Sequence, residues 1–176
     1  MRTVNSISKF VLKKTPNRIK KVCFFISSFI ATGCFVGKIK YVPGTFGSLL
    51  AILLSIPFVK LSMSIQIIIL GFLLTIGALS THLYLIKIKD LLKDPKEVVI
   101  DEIFAIFMIV VLSQFIVQKL EWNHFLSIFV LFRLFDISKP YPISYIDKNI
   151  HGAKGIMLDD ILAGFASLLI FIIAYS

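Results

Sequence analysis

The sequence predicts an all-helical, polytopic membrane protein: a bundle of about five membrane helices preceded by an N-terminal interfacial or re-entrant segment. Three observations predict it. Hydrophobic residues make up 57% of the 176 residues and charged residues only 16%, against about half and about a quarter in an ordinary soluble domain. A water-soluble fold of this size cannot bury that much apolar surface, so lipid must cover the remainder. The apolar residues are gathered into six runs, 22–37, 48–59, 64–86, 103–117, 124–135 and 161–175. All exceed ordinary strand length and none alternates with period two, which favours helices over a barrel. Finally, if the last five runs span, nine of the ten acids fall on one side, with Glu121 alone opposite.

The elements follow in order. Residues 1–21 form a basic segment containing Arg2, Lys9, Lys13, Lys14, Arg18, Lys20 and Lys21; it is expected to lie on the cytoplasmic side, against anionic headgroups. Net charge is +9, yet no aromatic interleaving or nucleic-acid motif accompanies the basic residues, so nucleic acid is not the expected partner. Residues 22–176 are expected to form a single membrane-embedded domain. Run 22–37 would put seven basic charges on the outer side if it spanned, hence its reading as interfacial or re-entrant. Its Cys23 and Cys34 have no partner Cys or His at metal spacing and read as packing residues. Run 64–86 alone reaches a full spanning length. The shorter runs span by snorkelling of flanking residues or local thinning of the bilayer. Three polar connections, 38–47, 87–102 and 136–160, then share one face, with only Lys60 and Lys119 among the basic residues opposite. The positive-inside tendency makes the crowded face cytoplasmic.

That face carries the candidate chemistry. Asp101-Glu102 stands where a polar connection enters an apolar helix, Asp159-Asp160 precedes the last run, and Asp136 follows another run. A single acid there could simply cap a helix and complement its dipole. Two adjacent acid pairs plus Asp136 are harder to explain so, because neighbouring carboxylates repel and need a cation to stay ionised. Hard oxygen donors from several elements suit Mg²⁺, and no His/Cys cluster competes for a softer metal. Pro43-Gly44-Thr45-Phe46-Gly47-Ser48 leads into a helix, where backbone amides and hydroxyls could cradle phosphate; an ordinary capped turn is the plainer alternative. Arg133 could clamp phosphate bidentately, or snorkel to headgroups. Lys139, His151 and Lys154 occupy the longest polar connection, with His151 a candidate acid, base or phosphate contact. His82 and His124 read as structural. The sequence has no cysteine-phosphatase spacing, no Asp-x-Asp pair, no P-loop and no Asp-Gly-x-x-Ala-Arg pattern; without an evident nucleophile, metal-activated water is the simplest expectation.

Four ordered motifs resemble the phosphatidylglycerophosphatase A family, from about Ala31 to the C-terminus. They are Pro43-Gly44-Thr45-x-Gly47-Ser48; Asp94-Pro95 with Val99-Ile100-Asp101-Glu102; Phe132-Arg133-x-Phe135-Asp136-Ile137-x-Lys139-Pro140-x-Pro142-Ile143; and His151-Gly152-x-x-Gly155-Ile156-Met157-x-Asp159-Asp160-x-x-Ala163-Gly164. The chain departs from the family pattern at Phe35, Gly37 and Lys40, and at Ala105, where Gly is usual. The resemblance implies Mg²⁺-dependent removal of the terminal phosphate from phosphatidylglycerophosphate, a phospholipid substrate, at the inner face of the bacterial cytoplasmic membrane. It implies that Asp101, Glu102, Asp136, Asp159 and Asp160 are the metal and catalytic acids, joined by His151. It implies Gly44, Thr45, Arg133 and Lys139 as substrate-binding positions, to which the reading of the residues themselves adds Ser48 and Lys154. A lipid phosphotransferase and a non-enzymatic anion transporter are the rival readings; no oligomeric state is specified.

Overall fold

The computed structural model describes residues 16–89 and 95–175. Most of the basic segment (residues 1–15), Asp90 and the Asp94 of the Asp94-Pro95 pair lie outside the described residues. Seven α-helices and no strands are found among the described residues: α1 Asn17–Ala31, α2 Pro43–Phe58, α3 Met63–Ile88, α4 Ile100–Ser113, α5 Trp122–Ser138, α6 Ile143–Asn149 and α7 Ala153–Tyr175. A short 3₁₀ turn, Val36–Lys38, joins α1 to α2.

Two helices, α3 with 26 residues and α7 with 23, are long and apolar enough to cross a membrane; about 20 residues suffice for the ~30 Å hydrocarbon core. The other apolar helices are shorter, 16 residues in α2, 14 in α4 and 17 in α5. Large apolar side chains project outward all round the bundle, among them Leu53 on α2, Ile68 and Phe72 on α3, Leu134 on α5 and Ile173 on α7. A water-facing surface would not carry them in such density, and lipid would accept them.

The core is organised about α4, every residue of which from Ile100 to Val111 is buried. It packs against α2, α3, α5 and α7; α1 lies on α3, and α6 lies on α7. Within lipid the hydrophobic effect does not draw helices together, so close approach through small residues has to supply the packing. Ala51, Ala105, Ala163 and Ser167 are fully buried between helices, and Gly164 abuts Met108 of α4, where a Cβ would come within 2.8 Å. Two buried serines satisfy their hydroxyls inside their own helices: Ser113 donates to Ile109 O at 2.8 Å and Ser167 to Ala163 O at 2.7 Å.

Consecutive long helices reverse direction, so α2, α4 and α7 begin, and α3 and α5 end, at one end of the bundle. There Tyr84, near the end of α3, donates to Glu97 just before α4, and Val99 N–H donates to Ala31 O at 3.0 Å. The opposite end is closed by amides and rings. Gln114 Nε2 donates to Gln66 Oε1 at 2.6 Å, while His124 caps α5 through the Glu121 N–H at 2.9 Å and stacks beside Phe171 and Tyr175. The structural role expected of His124 is what the fold assigns it.

Several boundaries differ from the hydropathy runs. α1 already begins at Asn17, so Arg18, Lys20 and Lys21 belong to its first turns. α5 continues through Asp136 to Ser138, and α7 starts at Ala153, eight residues before the apolar run at 161. Charged residues interrupt hydropathy, but they do not interrupt backbone hydrogen bonding when nothing nearby breaks the helix.

Candidate active site

At the end where α2, α4 and α7 begin lies a cavity of about 350 Å³. All five predicted acids line it: Asp101, Glu102, Asp136, Asp159 and Asp160. Arg133, Lys139, Pro43 and Gly44 line it too, with Lys40 and Lys96 at its exposed rim and Val42, Val98 and Ile156 as apolar wall. Residues separated by more than a hundred positions in the chain are thus collected into one hollow.

Each acid is set by its helix. Asp101 and Glu102 stand in the first turn of α4, where free backbone N–H groups favour negative charge. The Glu102 N–H itself donates to Asp101 Oδ1 at 3.0 Å. Capping accounts for part of that pair. It accounts for none of Asp159-Asp160, the seventh and eighth residues of α7, buried within the helix rather than at its start. Four of these acids are under a tenth exposed, Asp101, Glu102, Asp159 and Asp160; burial of that much like charge is costly unless cations share the space.

Two resident cations do share it. Arg133 Nη1 donates to Asp136 Oδ2 at 2.6 Å, to Glu102 Oε1 at 3.0 Å and, weakly, to Ser48 Oγ at 3.4 Å. One guanidinium nitrogen therefore joins α5, α4 and α2. The Arg133 Nε is buried with no hydrogen-bond partner among the described residues. Lys139 ends α5 in left-handed backbone, φ 41°, and its Nζ donates to Asp147 Oδ1 and Asp159 Oδ2, both at 2.6 Å. Burial works to lower the Lys139 pKa, but the hydrogen bonds and charges of Asp147 and Asp159 outweigh it and hold the amine above its ordinary value. Lys139 is a fixed cation.

The glycines of the first motif serve close approach. A Cβ on Gly44 would overlap Glu102 Oε1 and come within 3.1 Å of Arg133 Nη1; one on Gly47 would sit 2.7 Å from Glu102 Oε2. The start of α2 is therefore pressed against the Glu102–Arg133 pair, a fit only glycine permits. Ser48 is buried beneath it.

Not every predicted residue joins the cavity. Thr45 does not line it, and its N–H already donates to Val42 O at 3.0 Å, so the expected Gly44-Thr45 amide cradle is reduced to Gly44. His151, just ahead of α7, and Lys154, in its first turn, are exposed to solvent and lie outside the lining. Conversely, Lys40 and Lys96 were not among the predicted site residues. Their nearness in sequence to Pro43-Gly44 and to Asp94-Pro95 was the signal available.

The donor chemistry fits a hard cation. Glu102 Oε2 and Asp160 Oδ2 are buried with no hydrogen-bond partner among the described residues, and carboxylate oxygens are the donors Mg²⁺ prefers. Among the described residues no three His, Cys, Asp or Glu side chains are already drawn together as a ligand set; Glu102, Asp136 and Asp159 have oxygens engaged by Arg133 and Lys139 instead.

Fold and site together define a class: an all-helical protein with membrane-length apolar helices and a charged, largely buried cavity at one end of them. Comparison with known proteins gives the family. The family model for phosphatidylglycerophosphatase A matches residues 29–175, and the chain belongs to that family. It is 33% identical over 162 residues to phosphatidylglycerophosphatase A of Haemophilus influenzae, covering 90% of this chain and 96% of that one. The Escherichia coli protein of the same name is 33% identical over 141 residues, 78% of this chain and 77% of that one. A Bacteroides thetaiotaomicron relative, 31% identical over 157 residues (85% and 94%), is provisionally named a phosphatidylinositol-3-phosphatase. No solved structure matches the chain.

Proposed function

We propose that this protein is a Mg²⁺-dependent phosphoric monoester hydrolase that removes the terminal phosphate of phosphatidylglycerophosphate, yielding phosphatidylglycerol and inorganic phosphate. The observation that carries the reading is the convergence of five acids with Arg133 and Lys139 on one cavity, at the end of apolar helices whose outer surfaces suit lipid. The names of the relatives supply the substrate. The acyl chains would stay among the helices while the headgroup enters the cavity, so the lipid need not leave the bilayer.

We read the long helices α2, α3, α4, α5 and α7 as five membrane crossings, with the cavity on the cytoplasmic face of a bacterial inner membrane. Supporting this, Lys38, Lys40, Lys87, Lys89, Lys96, Lys139 and Lys148 all belong to the cavity end, against Lys60 and Lys119 at the other. We take α1 as the interfacial segment.

In the reaction a water oxygen bonds to phosphorus, the terminal P–O ester bond breaks, and the glycerol oxygen leaves with a proton. Asp101, Glu102, Asp136, Asp159 and Asp160 would hold Mg²⁺, which when bound neutralises phosphate charge and lowers the pKa of water. Arg133, through the edge not engaged by Glu102 and Asp136, and Lys139 bind the phosphate oxygens and hold the phosphorus in place. Positioning of that kind supplies much of the catalysis in phosphoryl transfer. Asp160, buried and with one oxygen unengaged by protein, is the acid best kept for accepting or holding a proton.

The test is the detergent-purified protein with phosphatidylglycerophosphate, with and without Mg²⁺, beside phosphatidic acid. Equal amounts of inorganic phosphate and phosphatidylglycerol are expected. Phosphate transferred to an acceptor alcohol would make it a phosphotransferase, and anion uptake into liposomes without hydrolysis would make it a transporter.

A further inference from the structure

Among the described residues four cations line the cavity, and two of them are engaged by acids there. Arg133 and Lys139 are tied to Glu102, Asp136, Asp147 and Asp159. Lys40 and Lys96 are exposed, and among the described residues neither forms an ion pair with a carboxylate. They come from separate connections, Lys40 from the one entering α2 and Lys96 from the one entering α4. Backbone packing brings those connections together: Gly37 is buried so tightly on the Glu97 carbonyl that a Cβ would overlap it. The neighbouring Glu97 carboxylate accepts from the Tyr84 hydroxyl and forms no ion pair with either lysine among the described residues.

We propose that Lys40 and Lys96 form a second anion subsite at the cavity rim, which takes the phosphodiester of a lipid headgroup carrying two phosphates while its terminal phosphate lies among the buried acids. The inference rests on the substrate reading above. Two like charges on one cavity rim, neither ion-paired among the described residues, favour an incoming anion, and ammonium groups bind phosphate oxygens as point charges. The surroundings favour a lipid as the source of that anion over free phosphate. Lys40 is flanked by Ile39, Tyr41 and Val42, all exposed, with Tyr41 73% exposed; apolar and aromatic side chains beside lysine suit the headgroup layer. A subsite there would distinguish a headgroup with two phosphates from one whose only phosphate is the one removed.

The test uses the full chain in detergent and the double variant K40Q/K96Q, with each single variant as a folding control. Binding of short-chain phosphatidylglycerol, which carries the diester alone, is measured by calorimetry beside glycerol 3-phosphate and inorganic phosphate. The double variant is expected to bind phosphatidylglycerol about fivefold more weakly, as two exposed ion contacts of modest strength would give. The KM for phosphatidylglycerophosphate should rise by a similar factor, and K40R/K96R should restore both. Equal weakening towards all three ligands would mean a diffuse surface field and would overturn the subsite, as would unchanged phosphatidylglycerol affinity. If the wild-type chain releases no phosphate, the substrate reading fails, while the phosphatidylglycerol arm still decides whether a diester site exists.

Discussion

Arg133 can be separated into two jobs by substitution, because its contacts are divided unequally over the guanidinium. All three hydrogen bonds to Glu102, Asp136 and Ser48 leave from Nη1, while Nε is buried without a partner among the described residues. Nη1 is the structural half and the remaining edge is the half available to phosphate. Arg133→Met removes both, leaving Glu102 and Asp136 without their cation; the side chains of this group are only 11–15% exposed. Breaking a buried pair from one side costs about 3–5 kcal/mol, so the variant should unfold well below the wild type in detergent. Arg133→Lys keeps a charge that can serve the carboxylates and loses the planar fork. Its stability cost should stay near 1–2 kcal/mol. Its phosphate release should still fall roughly 10- to 100-fold, the worth of one lost hydrogen bond to a charged oxygen. Thermal unfolding and phosphate release from phosphatidylglycerophosphate, measured on the same preparations, read the two jobs apart. A lysine variant that keeps most of its turnover, or is as unstable as Met, would refute the division.

Asp160→Asn should reduce phosphate release by about 10²-fold or more if the residue binds metal or moves a proton; near-normal turnover in folded protein would remove Asp160 from the reaction. EDTA should abolish turnover and added Mg²⁺ restore it, and release that persists undiminished in EDTA would defeat the metal proposal. Gly44→Ala should cost about 1–3 kcal/mol of stability and lower activity, since its methyl would need the space of Glu102 Oε1; wild-type melting would show that the start of α2 can shift. A raised Lys139 pKa means that its ion pairs contribute fully below the ordinary lysine value and are lost only as pH rises through the higher folded value. The stability gap between wild type and Lys139→Met should accordingly be flat from pH 6 to pH 9, and a gap that closes within that window would show an amine titrating there.

Hydropathy and charge distribution made the helical class and the polar end of the bundle legible, because both follow from what lipid and water accept. The five acids were legible for the same reason: carboxylates set at the edges of apolar runs need a reason to be there. What local sequence could not show was which polar neighbours the fold turns inward. His151 and Lys154 stand in the same motif as Asp159 and Asp160, yet His151 precedes α7, Lys154 sits on the exposed side of its first turn, and the two acids fall on its buried face. Lys40 and Lys96 gave the reverse case, ordinary loop lysines by composition that reach the cavity only because Gly37 lets two connections touch. Helix ends were misread wherever a charge interrupted hydropathy, as at Asp136 and before Ile161, since backbone hydrogen bonding tolerates a charge that a hydropathy profile does not.

The charge balance of the cavity ties these parts together. Among the described residues five lining carboxylates face four lining cations. A phosphate monoester dianion entering the cavity meets, in Arg133 and Lys139, cations that already serve acids. On the proposed reading a divalent cation accompanying the substrate would add the positive charge that those engaged cations do not. The resident ion pairs then have a further consequence. Arg133 Nη1 and Lys139 Nζ are held by Glu102, Asp136, Asp147 and Asp159, so phosphate would meet Arg133 along the edge those acids leave open and would reach Lys139 only in exchange for a carboxylate.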